Sequence, residues 1–433
     1  MKAELVVRGG LLDGAPRDVL VSGGTIVAVT EAGAGGSAAK VIDATGLAVL
    51  PGAVDAHVHF DAPGRDDWEG WATGSLAAAA GGVTTVVDMP IDSDPPTTHA
   101  DAVVAKRGEA ERASLVDFAF WGGLVPENSD ALGPLLDSGV VGLKAFLCDS
   151  GWPEFPACDA DALALGMAAA ARAGLPVAVH CEDSSLFGGG GSERPVASEV
   201  AAVSRAGASA VAHGARLHVV HCSSPDAVLE AKRWAGTTVE TCPHYLTLNR
   251  DDVRRIGSDA VCCPPVRTEV DRRRMVALAA DGTIDNVASD HSPCPPALKE
   301  GPNPFAGVSG VETTLSVLLS LMSRDLLSLR DIVRLRGAAA ALCGLAHKGA
   351  VVPGYDADLA LVDVGATWTV SPETLHSRHR RSPFLGRALP GVVVATIVAG
   401  EVVYEAGGQA AEPCGRFLTP GVSANNAREK ERS

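Results

Sequence analysis

Val49-Leu50-Pro51-Gly52-Ala53-Val54-Asp55-Ala56-His57-Val58-His59-Phe60 is an apolar run that closes on two histidines one residue apart. A run this apolar, without polar alternation, reads as a strand buried on both faces, the mark of a parallel sheet. Side chains alternate along a strand, so His57 and His59 share one face. Similar runs recur at 83–89, 117–124, 140–147, 176–180, 217–221, 239–242 and 284–289. Between them, segments such as 70–80, 159–173, 225–235 and 311–323 carry Ala, Leu and Val at helical spacing. Strand and helix alternating in this number predict an α/β chain folded as a (β/α)8 TIM barrel; an open, doubly wound sheet is the alternative.

The ends of the chain read differently. Short β-type runs at 5–8, 18–21, 25–30 and 40–43 are separated by glycine-rich turns, and a matching set lies at 357–364, 392–399 and 401–404. Residues 1–50 plus 347–433 are therefore expected to form a small β-sandwich domain beside a catalytic barrel at 51–346. A chain of 433 residues is long enough for this division, because single cores stop growing at roughly 250–300 residues. Gly188-Gly189-Gly190-Gly191-Ser192 reads as a mobile surface loop, and the tail after Pro420 as frayed.

Composition removes several function classes. Asp and Glu total 52 against 36 Lys and Arg, a formal charge of −16, and such a surface repels phosphate backbones and anionic lipid. Neither nucleic acid nor membrane is expected as a partner. The start, Met1-Lys2-Ala3-Glu4-Leu5, lacks the succession of a signal peptide, which predicts a cytoplasmic protein. The ten cysteines, among them Cys181, Cys222, Cys242, Cys262 and Cys263, sit mostly in apolar runs without CxxC spacing and read as reduced core thiols.

In a barrel of this kind the C-terminal strand ends face the active site, so polar residues that stop apolar strands are candidates for chemistry. His57 and His59 are the first. Lys144 interrupts Val140-Val141-Gly142-Leu143-Lys144-Ala145-Phe146. Burial without a partner drives a lysine toward its neutral form, and a neutral amine can add CO2 to become a carbamate able to bridge two cations. An ion pair with Asp88 or Asp149 is the structural alternative. His180 and His221 each end a valine-containing run, and Asp290 follows Ala288-Ser289 at the eighth. Four imidazoles, a lysine and a carboxylate at strand ends make a ligand set for two divalent metal ions of the zinc type.

The order HxH, Lys, His, His, Asp on such a barrel resembles the cyclic amidohydrolases, the group of dihydroorotases, hydantoinases with dihydropyrimidinases, and allantoinases. The resemblance runs from Pro51-Gly52-Ala53-Val54-Asp55-Ala56-His57-Val58-His59 to Pro353-Gly354-Tyr355-Asp356-Ala357-Asp358-Leu359. Glu240-Thr241-Cys242-Pro243-His244-Tyr245-Leu246 and Ser289-Asp290-His291-Ser292-Pro293-Cys294-Pro295-Pro296 are similar to the allantoinase branch. The resemblance implies hydrolysis of a cyclic ureide, allantoin to allantoate, with hydantoinase, dihydropyrimidinase or dihydroorotase chemistry as alternatives and a non-catalytic paralogue as a more distant one.

It further implies that His57 and His59 hold one metal with Asp290, that His180 and His221 hold the second, and that carboxylated Lys144 holds both. His244 and His291 would lie outside that set. Main-chain groups around Cys263 and Gly307, with Ser292, would contact substrate, and Asp290 would shuttle the proton. A homotetramer is implied as well. Three stretches depart from the group's pattern: Asp61-Ala62 before Pro63-Gly64, the glycine-filled 182–194, and Asn303-Pro304-Phe305-Ala306-Gly307 in place of a Trp-Gly-Gly phrase.

Overall fold

The computed structural model describes residues 3–191, 193–409 and 411–421. Parallel strands Ala53–Val58, Val83–Asp88 and Asp117–Phe120 pair in chain order. A second parallel series runs Gly122–Gly123, Leu143–Phe146, Pro176–His180, Arg216–Val219, Thr238–Thr241 and Asn286–Val287. The two series meet across Trp121, which interrupts the third strand and whose indole N–H donates to Ala56 O at 2.9 Å. At the other side His59 N donates to His291 O at 2.8 Å and Val58 bridges His291 in parallel. Strand order thus follows chain order and returns to its start. A doubly wound sheet would reverse direction partway, and this one does not.

The long helices Ala100–Ala113, Ala160–Ala173 and Val196–His213 lie between strands. Asp159 caps the second by accepting from Ala162 N, and Gly174 ends it at φ 70°, so local chemistry delimits the element at both ends. Residues of the barrel strands and the helices share one large apolar core in which Ala and Val predominate. That matches a composition of 4% aromatic residues.

The quoted run 49–60 is two strands and not one. Ala48–Pro51 pairs antiparallel with Leu359–Thr369, and the chain then passes through Gly52 into the barrel strand Ala53–Val58. A Cβ at Gly52 would lie 2.1 Å from Thr84 Oγ1, so only glycine allows the crossing. Both strands are apolar, which is why the pattern conceals the break. Ala48–Pro51 belongs to an eight-stranded sheet built from both chain ends, in the order Glu401–Glu405, Ala388–Val398, Leu359–Thr369, Ala48–Pro51, Leu5–Leu12, Ala15–Ser22 and Thr25–Glu31, with Lys40–Asp43 also on Leu5–Leu12. Leu5–Leu12 changes register between Val7 and Gly10, its first half pairing with Lys40–Asp43 and its end with Ala48. Val7, Val19, Ile26, Val49, Leu359 and Ile397 from its two limbs fill one common core.

The glycine run forms a short 3-10 turn at Gly189–Gly191, tied by Gly188 N to Glu193 O at 2.9 Å; Ser192 and the tail 422–433 lie outside the described residues. Cys181, Cys222, Cys242, Cys262 and Cys263 are free thiols, as expected. Among the described residues no helix is long and apolar enough to cross a membrane.

Candidate metal centre

Each expected ligand sits at or just beyond a strand end, and together they face one cleft of about 680 Å³. His57 lies within Ala53–Val58, His59 follows it, Lys144 lies within Leu143–Phe146, and His180 ends Pro176–His180. His221 and Asp290 come two and three residues after their strands, at φ 38° and 48°. Positive φ is unfavourable for side chains of this size and is retained where surrounding structure imposes it. Here it turns both side chains back over the barrel mouth.

The atoms that meet are specific. Asp290 Oδ1 lies 3.2 Å from His57 Nε2 and 3.6 Å from His59 Nε2. His180 Nδ1 lies 3.0 Å from His221 Nε2, and the His57 and His221 rings are 5.3 Å apart. On the outer side, carboxylates hold three of the rings. Glu240 Oε1 is 2.7 Å from His57 Nδ1, Asp92 Oδ2 is 2.8 Å from His59 Nδ1, and Glu182 Oε2 is 2.8 Å from His180 Nε2. His57 and His180 have carboxylate hydrogen-bond partners at their outer nitrogens, which leaves the inner nitrogens to present lone pairs, whereas His59 Nδ1 meets Asp92 as a close charge pair and not as an aligned hydrogen bond. The inner nitrogens of His57, His59, His180 and His221 and the Asp290 oxygen thus converge, and what lies among them is either a shared proton, as between His59 and Asp290, or a cation.

Lys144 Nζ is buried without a hydrogen-bond partner and sits 4.9 Å from the Phe146 ring. The alternative ion pair with Asp88 does not form, because Asp88 accepts from Lys106 Nζ at 2.6 Å. Burial pushes the Lys144 amine down to about 8, only partly opposed by Asp290 and Glu240. Burial also holds His180 and His221 well below the usual histidine range, with the Lys144 charge adding to it. Burial would lower His59 too, but contacts with Asp290 and Asp92 outweigh it and raise the ring to about 9. Burial would raise Asp290, yet His57, His59 and His221 hold it well below the usual carboxylate range. The donor set, its carboxylate backing and the unpartnered amine fit divalent cations.

Cys263, Ser292 and Gly307 line the same cleft. The Gly307 N–H donates to Val261 O at 3.0 Å, and its carbonyl accepts from Lys299 Nζ at 2.5 Å, which leaves the carbonyl one further lone pair. Its lack of a side chain still matters, since a Cβ there would lie 2.3 Å from Ser292 O. His244 is buried behind Asp290, in a group with Cys242 and Asp290. His291 accepts from Gly310 N at 3.2 Å. Neither histidine lines the cleft.

The sequence reading missed Glu240, Asp92 and Glu182. Glu240 carried a signal, a carboxylate inside the buried strand Thr238–Thr241; it also accepts from His221 N at 3.2 Å. Asp92 lies in a loop where acidic residues are ordinary. The aromatic wall formed by Trp68, Trp152 and Phe305, with Trp68 5.8 Å from Trp152 and 5.2 Å from Phe305 between ring centroids, is contributed by separate loops and left no local pattern.

The profile of the amidohydrolase family matches residues 48–403. The chain belongs to the amidohydrolase family. Amidohydrolases are metal-dependent enzymes, and this member is a hydrolase of that kind. It is 42% identical to the allantoinase of Solibacter usitatus, over 97% of this chain and 99% of the relative. It is 41% identical to the allantoinase of Rubrobacter xylanophilus, over 96% and 98%. The L-hydantoinase (dihydropyrimidinase) of Arthrobacter aurescens has the same fold, with a TM-score of 0.92, 32% identity and coverage of 96% and 100%. A dihydropyrimidinase from Brevibacillus agri NCHU1002 superposes at a TM-score of 0.87 with 27% identity, over 97% and 99%.

Proposed function

We propose that this amidohydrolase opens the ring of allantoin to give allantoate. The observation that carries the reading is the meeting of four imidazoles, Asp290 and an unpartnered lysine amine in one cleft, in a chain about 40% identical to allantoinases over almost its whole length. His57, His59 and Asp290 would hold one zinc-type ion, and His180 and His221 a second. Lys144 would reach both after its neutral amine adds CO2 and releases one proton. When bound, such ions acidify water to near neutrality and polarise the amide carbonyl.

Asp290 takes the proton from the attacking water and delivers it to the departing amide nitrogen, which cannot leave as an anion. Glu240 and Glu182 keep His57 and His180 in the tautomer whose free nitrogen faces the cleft, and Asp92 pairs with His59. Cys263, Ser292 and the carbonyl of Gly307 border the place a cyclic ureide would occupy, and the wall of Trp68, Trp152 and Phe305 excludes water around it. We further take 1–50 plus 347–433 as the β domain and 51–346 as the barrel domain, in a cytoplasmic homotetramer.

A second reading, hydantoinase or dihydropyrimidinase activity, is favoured by the TM-score of 0.92 to L-hydantoinase. Purified protein loaded with Zn²⁺ in bicarbonate buffer, assayed on allantoin, hydantoin and dihydrouracil, decides between them. Turnover of allantoin well above the other two is expected. Its absence would overturn the first reading.

A further inference from the structure

One contact in the wall of the cleft leads directly back to a ligand of the centre. After the strand Leu143–Phe146 the chain makes a turn bonded to itself: Ser150 Oγ donates to Phe155 O at 2.6 Å and accepts from Trp152 N at 3.1 Å. Phe155 is fully buried and anchors that turn. Trp152 is consequently held in place at the cleft. Its indole N–H donates to Asp92 Oδ1 at 2.6 Å, and the other carboxylate oxygen is the one 2.8 Å from His59 Nδ1. His59 Nε2 in turn faces Asp290.

Asp92 does not hold this position by itself. It is buried at φ 76°, a backbone state that persists for a non-glycine residue only when neighbours impose it. Arg65 supplies one constraint, donating from Nη1 to Asp92 O at 2.9 Å. The same guanidinium lies 4.0 Å from the centre of the Trp152 ring, and its other end pairs with Glu154 at 2.8 Å. Arg65 therefore clamps the backbone of Asp92 while supporting the indole that holds its carboxylate.

We propose that Trp152 is a positioning residue for the ligand imidazole of His59, acting through Asp92, so that the cleft wall and the ligand geometry form one mechanical unit. The proposal rests on the reading of His59 as a ligand. A carboxylate held 2.8 Å from the outer nitrogen of an imidazole attracts that edge of the ring and limits where its inner nitrogen can point. Without the indole donor, the Asp92 carboxylate can rotate away from His59. Carboxylates that back ligand histidines contribute 10–100-fold in metal affinity, and Trp152, one contact further out, should act near the lower end.

The test uses the full chain loaded with Zn²⁺, comparing the wild type with Trp152→Phe and Trp152→His. Phenylalanine keeps an aromatic wall and the face toward Arg65 but removes the N–H; histidine restores a ring donor. Expected for Trp152→Phe is release of Zn²⁺ to a chelator about 10-fold faster, a lowered kcat and a nearly unchanged KM, with Trp152→His recovering part of the slow release. A raised KM with release rate and kcat unchanged would overturn the proposal and leave Trp152 as a plain wall. Thermal unfolding separates either result from a variant that does not fold, and in that event Trp152→His alone must still release metal more slowly than Arg65→Met plus Trp152→His for the idea to stand. Wild-type protein that retains no divalent ion would instead overturn the reading of the centre.

Discussion

Two buried lysines at opposite ends of the barrel meet opposite fates. Lys348 lies where the barrel meets the terminal sheet, with Asp117, Asp356 and Asp358 oxygens at 2.6, 3.1 and 2.7 Å. Burial would lower its pKa, but the carboxylates outweigh it and raise the ammonium above its ordinary value. Lys144, at the mouth, is just as buried yet has no hydrogen-bond partner, and its amine falls to about 8. Lys106, paired with Asp88 at 2.6 Å and bonded to Met89 O at 2.9 Å, resembles the former. Burial alone therefore does not decide a lysine's role. With carboxylates it is a cationic tie between chain segments; without a hydrogen-bonded partner its amine is shifted toward the neutral form.

The strongest way to break the comparison is to remove the amine that has no partner. Lys144→Ala should lose turnover altogether while unfolding near the wild-type temperature, and a small carboxylate such as acetate or propionate should restore part of it. Full activity in the unsupplemented variant would end the distinction. Next in size, Lys348→Met leaves buried carboxylates uncompensated and should cost about 3–5 kcal/mol in denaturant unfolding, with kcat of the folded fraction unchanged. A stability like the wild type's would show the tie to be dispensable.

Lys106→Met tests the intermediate case. Asp88 also accepts from Phe60 N at 2.8 Å, beside His59, so a loss of about 3 kcal/mol should come with faster metal release, a pairing absent from Lys348→Met. The smallest effect is expected at Asp356, whose carboxyl is pushed up from 3.8 to about 6 by burial and by Asp358, against the pull of Lys348. The folded state thus binds this proton more tightly than the unfolded chain does. Its contribution is in place below 3.8 and is lost as pH rises through about 6. Asp356→Asn should therefore cost little at pH 7 and flatten the stability profile across that window, whereas Asp117→Asn should cost stability at pH 7. Equal losses in the two variants would remove the asymmetry.

The candidate residues that meet in the cleft were legible because each breaks a local rule. His57, His59, Lys144, His180, His221 and Asp290 are polar residues at the ends of apolar runs, and only convergent chemistry tolerates that repeatedly. The barrel was legible for the same reason, through strands buried on both faces. The break at Gly52 was not, since two strands of equal apolarity abut there and the cause, Thr84, is remote in the chain. Asp92 and Glu182 were not, because an acid in a loop is unremarkable until an imidazole is found 2.8 Å away.

Residue type and period, read along the chain, determined that eight buried runs would form parallel strands and that their polar ends would carry a metal-type donor set. Those are local properties of a dozen residues at a time. The tertiary structure decided which nitrogen of each imidazole faces inward, which carboxylate stands behind it, and which buried lysine is left without one. Hydrogen bonds and charge pairs act over a few ångströms, and only the closed barrel brings Asp92 to His59, Glu240 to His57 and Asp117 to Lys348.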